Sequence, residues 1–100
     1  MTVIVIGTFR FPRENVERIR PHLKALVEAT RAYDGCIAYD AAEDLFDPGL
    51  IRITEIWPDA EVLAAHFKAP HIAPWRKAAM ENGMRDREFT AHDGQNPRAI

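Results

Sequence analysis

Apolar and polar positions alternate most regularly over residues 51–57, where Ile51, Ile53, Glu55 and Trp57 face one way and Arg52, Thr54 and Ile56 the other. Four of these residues are β-branched, which favours a strand over a helix. Pro58 ends the run: it cannot donate a central ladder hydrogen bond, and its fixed φ suits the first turn of a helix. Asp59 and Glu61 then place carboxylates at the positive end of a helix predicted from Pro58 to about Lys68, with Leu63, His66 and Phe67 inward. Pro70 interrupts it. Helical character resumes over 71–80 around Ile72, Trp75 and Ala79, and Asn82-Gly83 closes the segment.

Before this stretch, residues 2–11 are apolar on both faces through Ile6, as in a central strand. The stripe Val16, Ile19, Leu23, Leu26 and Val27 predicts a helix to Tyr33, stopped by Asp34-Gly35, with a kink or restart at Pro21. Residues 36–44 read as a weaker strand with Ile37, Tyr39 and Ala41 on one face, and Asp47-Pro48-Gly49 turns the chain into the next. Residues 84–92 predict a last strand too charged for the middle of a sheet. Residues 93–100 have little periodicity and are expected to be mobile or draped over a partner chain.

The order is β-α-β-β-α-β, which predicts the α+β class and a ferredoxin-like split arrangement. Its four-stranded antiparallel sheet should have the first and third strands at the centre and the polar second and fourth at the edges. Helices can cover only one face of such a sheet. A second copy packed against the other face, forming a two-fold homodimer, is therefore expected.

At 100 residues the chain suits one domain, 1–100, with a modest core: folding at this size hides only about 65% of the extended chain's surface. The net charge of -2 gives no broad electropositive surface, so no nucleic acid partner is expected. A lone cysteine, Cys36, excludes an internal disulfide or a cysteine metal cluster and fits a reducing, cytoplasmic setting. The opening apolar run is too short for a membrane span, so no membrane partner is expected. No serine occurs, which removes a serine triad, and no phosphate-binding glycine pattern is present.

Candidate chemistry gathers after the third strand. His66 arrives about two and a half helical turns beyond Trp57 and either transfers protons near neutral pH or is hydrogen-bonded structurally under its helix. His71, at the helix restart, is a catalytic candidate or a cap. Two histidines fall short of a metal site, and none is expected. Glu55, a carboxylate on an apolar face, must be paired or protonated, with His66, Tyr39, an arginine or a backbone donor as its expected contact. Trp57 and Trp75 either wall an aromatic ligand or fill core or interface. Tyr39 offers a phenol to the same space, Arg10 a charge for a phenolate or a surface ion pair, and Phe67 packing area.

The segments Asp34-Gly35-Cys36-Ile37-Ala38-Tyr39, Thr54-Glu55-Ile56-Trp57 and Ala65-His66-Phe67-Lys68-Ala69-Pro70-His71 resemble the antibiotic biosynthesis monooxygenase domain family. Within that family the quinol-monooxygenase-like members are the most similar, and the resemblance runs over roughly residues 2–92. It implies a dimeric α+β barrel with a pocket between the sheet and its own helices. It further implies oxidation of a small hydroquinone or phenolic aromatic by dioxygen, without metal, haem or flavin. On this reading His66, His71 and Glu55 are the catalytic residues, and Trp57, Tyr39, Arg10, Phe67 and Trp75 bind substrate. Ile53 stands where antibiotic-tailoring members carry asparagine, and Arg76 near the place of a histidine in haem-degrading ones, so the resemblance implies neither of those activities. The alternatives are an isomerase or lyase on the same fold and a non-catalytic dimer that binds an aromatic ligand.

Overall fold

A computed structural model describes residues 1–100. It runs β1 (Thr2–Arg10), a 3-10 turn (Arg13–Asn15), α1 (Val16–Tyr33), β2 (Ala38–Glu43), β3 (Leu50–Trp57), α2 (Ala60–His66), α3 (Ile72–Glu81) and β4 (Arg85–Gly94). The strands form one sheet in the order β2-β3-β1-β4, with every neighbouring pair antiparallel. This is the predicted split arrangement, with its two most apolar strands at the centre.

The expected barrel is not formed. β2 and β4 are free edges at opposite sides of an open sheet, with no pairing between them. Four strands enclose too little interior for side chains, since a filled barrel takes about eight. Both edges are also blunted: β2 is only six residues long, and β4 presents Arg85, Asp86, Arg87 and Glu88 to solvent.

The inner face carries the core, with Val3, Val5, Phe9, Ile51, Ile53, Trp57 and Tyr39 packed against Val16, Ile19 and Val27 of α1 and Ala78 and Ala79 of α3. The alternation read in the third strand is seen in full, Ile51, Ile53, Glu55 and Trp57 all being buried. α1 passes through Pro21 without a break. Pro21 lies on the exposed side, where water can satisfy the carbonyl it leaves unpaired.

Other boundaries move for local reasons. β2 begins at Ala38, not at residue 36, because Gly35 (φ +77°) is still turning the chain out of α1. α2 is shorter than the predicted 58–68: Asp59 caps it by accepting the Val62 N–H at 2.9 Å, and it ends at His66. β4 takes Asp93 and Gly94 from the expected tail. No helix is long and apolar enough to cross a membrane.

Gly7 shapes the interior by having no side chain. A Cβ there would stand 2.4 Å from the Phe89 ring. Its absence lets Phe89 lie across β1 and stack on Phe9, with centroids 6.1 Å apart and planes 11° from parallel.

Candidate functional site

Between the inner sheet face and the helices lies a cavity of about 620 Å³. Its walls are mostly apolar, with Phe9, Ile53, Leu63, Trp75, Met80 and Met84 among them; Tyr39, Glu55 and His66 supply polar groups, and Arg76 and Arg87 cations.

His66 is the last residue of α2 and only 4% exposed. The Pro58-Asp59 turn starts this short helix directly from β3, so its far end is brought back over the aromatic end of the sheet. The imidazole lies 4.8 Å from the Trp57 ring and 5.5 Å from Tyr39, centroid to centroid. Its Nδ1 donates to Asp34 Oδ2 at 2.5 Å, and the same oxygen accepts from His71 Nε2 at 2.8 Å, because a carboxylate can only accept. Thr30 Oγ1 is the one side-chain polar atom both sealed from solvent and unpartnered. The His66 Nε2, also without a protein partner, is therefore not sealed, and His66 lines the cavity.

Glu55 is equally buried, and its Oε1 accepts the Trp57 indole N–H at 2.8 Å. Burial pushes its carboxyl above the usual glutamate range, against the pull of that hydrogen bond, of His66 whenever its ring is protonated, and of the Arg87 charge. Burial likewise drives the Tyr39 phenol well above its ordinary range, with the Glu55 and Asp34 charges adding to the effect. The phenol thus stays protonated at neutral pH and can donate to a ligand.

The structure brings together most of the residues singled out from the sequence. Tyr39, Glu55, His66, Phe67 and Trp75 line the cavity. Trp57 is fully buried behind that wall, where it supports Glu55 and His66. His71 also stands behind, on the far side of Asp34. Arg10 lies apart, forked onto Asp47 at 3.1 and 2.6 Å beside the β2–β3 loop.

Asp34, Arg76 and Arg87 were not foreseen as site residues. Asp34 reads in sequence as a helix stop and as the start of a family segment, with no sign of its pairing, since its partners are 32 and 37 residues away. Arg87 had a readable signal: strand alternation puts it on the same face as Phe89. Asp34, His66 and His71 could also offer a metal ion three ligand atoms, all within 4.8 Å of one another. Here those atoms are joined by direct hydrogen bonds.

Residues 2–78 match the model of the family described as antibiotic biosynthesis monooxygenase. No curated protein matches the chain significantly. Among solved structures, a Deinococcus radiodurans protein named for the antibiotic biosynthesis monooxygenases is 31% identical, with a TM-score of 0.90 over 98% of this chain and 97% of that one. Rv0793 from Mycobacterium tuberculosis is 27% identical, with a TM-score of 0.85 over 99% of this chain and 100% of that one. A third protein, described as an antibiotic biosynthesis monooxygenase, is 28% identical, with a TM-score of 0.85 over 94% of this chain and 99% of that one. With a family match over most of its length and a relative of this identity spanning nearly all of it, the chain belongs to the antibiotic biosynthesis monooxygenase family, whose name is that of an oxidoreductase.

Proposed function

We propose that the protein is a cofactor-free monooxygenase that oxidises a small hydroquinone or phenolic aromatic with dioxygen. The observation that carries this reading is the His66 imidazole, fixed at Nδ1 by Asp34, left without a protein partner at Nε2 and lining an apolar cavity. Family membership supports the oxidoreductase class, and the Asp34-held imidazole supports His66 as the proton acceptor.

With Nδ1 holding its proton for Asp34, neutral His66 presents Nε2 as an acceptor. It takes the proton of the substrate hydroxyl, leaving an electron-rich anion. One electron passes to dioxygen, and the ring radical and superoxide combine as a carbon-bound peroxide, which takes a proton. The O–O bond then breaks as the hydrogen on that carbon leaves as a proton, which replaces the one the peroxide took up. A new carbonyl remains, and the departing hydroxide becomes water with the proton held by His66. One oxygen atom enters the product and the other leaves reduced, so the substrate loses the four electrons that dioxygen gains.

The apolar walls keep water from the anion and the radical, and Tyr39 donates to the substrate oxygen. Glu55, raised by burial, is a second proton carrier in the same space. The expected homodimer belongs to this proposal: a second copy would cover the outer sheet face, where Ile4, Ile6 and Ile56 lie side by side across β1 and β3.

Oxygen uptake by metal-stripped protein with a panel of hydroquinones and phenols tests the activity. Uptake should be catalysed, and His66→Ala should lower kcat by roughly 10²–10⁴-fold, the usual worth of a general base. Uptake no faster than the uncatalysed background, or uptake unaffected by His66→Ala, would overturn it. Turnover that persists without oxygen would favour an isomerase or lyase instead.

A further inference from the structure

Arg10, Arg20, Arg31, Arg52 and Arg85 each pair with a carboxylate. Arg13, Arg18, Arg76, Arg87 and Arg98 have no such partner, and of these only Arg76 and Arg87 line the cavity. The Arg87 guanidinium lies over the Phe89 ring, 4.2 Å from its centroid. Phe89 is in turn stacked on Phe9, over the gap left by Gly7. This platform holds the planar fork by cation–π attraction while leaving its N–H donors unspent.

The two cations come from elements on different sides of the space, Arg76 from α3 and Arg87 from the edge strand β4. Ala91 and Glu55 both pair with Val5, and Arg87 is four residues along β4 from Ala91, about 13 Å of strand. The Arg87 guanidinium itself lies over Phe89, which pairs with Gly7, two residues along β1 from the Val5 that faces Glu55, so its charge stands along the sheet from the carboxyl and not beside it. The Arg87 charge still reaches Glu55 and Tyr39, pulling both downward against the effect of burial.

We infer that this cavity selects an aromatic carboxylate, its anion held by Arg87 and Arg76 and its ring laid along the apolar walls toward Glu55 and His66. The direction of the ring hydroxyl rests on the His66 reading above; the anion subsite does not. Guanidinium forks match a carboxylate by two parallel hydrogen bonds; both side chains stand at the exposed rim of the cavity, where water and salt weaken such pairs without removing their geometric match. A neutral hydroquinone would fill the ring site and leave both arginines unanswered.

Calorimetric titration without oxygen tests this, using gentisate, a dihydroxybenzoate, and its neutral amide as probes. The acid should bind about tenfold or more tightly than the amide, the scale of one charge-assisted hydrogen bond. Arg87→Gln and Arg76→Gln should each reduce that preference, and the double variant should abolish it while binding the amide as the parent does, which shows the cavity intact. Arg18→Gln, on the exposed side of α1, should leave the preference unchanged. Equal binding of acid and amide, no binding of the acid, or a preference that survives the double variant would overturn the inference. Because no oxygen is present, a clear acid preference followed by no turnover in air would sink the monooxygenase reading and leave the anion subsite standing. Turnover of plain hydroquinone without acid preference would do the reverse.

Discussion

Asp34 decides which nitrogen of His66 carries its proton. It does not itself line the cavity and acts through the imidazole it holds, as a positioning residue. In Asp34→Asn the amide can donate to Nδ1, which moves the proton to Nε2 and leaves the wrong tautomer facing substrate. The variant should fold, lose roughly 10²–10⁴-fold in kcat, and show a displaced pH profile, none of which a purely structural role predicts. Strand periodicity revealed Glu55 and Trp57 because a period of two holds in any context. It did not reveal Asp34, whose burial is imposed by two rings from a distant part of the chain.

Glu55 also sets a stability effect of definite sign. Its raised carboxyl contributes stability fully below the ordinary glutamate range and loses it as pH rises through the raised value. Asp44 and Asp47 work the opposite way, being held low by the Phe46 N–H with Arg52 and by Arg10 respectively. Their contribution is present above the ordinary aspartate range and fades as pH falls through their lowered values. Glu55→Gln keeps an acceptor for the Trp57 indole and removes the buried charge. Urea unfolding should find it more stable than the parent by on the order of 1 kcal/mol near neutral pH, with the difference gone by about pH 3.

Among the elements, α2 and β4 matter most to the site. α2 has seven residues, too few to be stable alone, so its cap carries unusual weight. Asp59→Ala should cost about 1 kcal/mol in denaturant and lower turnover beyond what the stability loss explains, because His66 sits at the other end. On β4, the Phe89 platform depends on the bare backbone of β1. Gly7→Ala should displace the ring, cost roughly 1–3 kcal/mol by overpacking and weaken ligand binding, all measurable by melting and titration. The charges of β4 made it readable as an edge strand. Its contribution to the cavity was missed because the same charges suggested only solvent, although every second side chain of an edge strand faces the core side.

For the molecule as a whole, topology followed from element order, because β-α-β-β-α-β with two apolar strands leaves few arrangements. Closure did not follow, since whether edges meet depends on strand number, length and edge charge. What remains open on the outer face is the place for the proposed second copy. Ile6, 56% exposed at the middle of a central strand, is the residue to test. Sedimentation should show a dimer for the parent, and Ile6→Glu should shift it toward monomer without altering the helical content.

The single Asp34 oxygen shared by two imidazoles joins the end of α1, the end of α2 and the start of α3 at one point. Those three termini cannot then fray independently. Amide hydrogen exchange over residues 59–72 should consequently proceed as one opening event, and Asp34→Ala should split it into separate, faster ones.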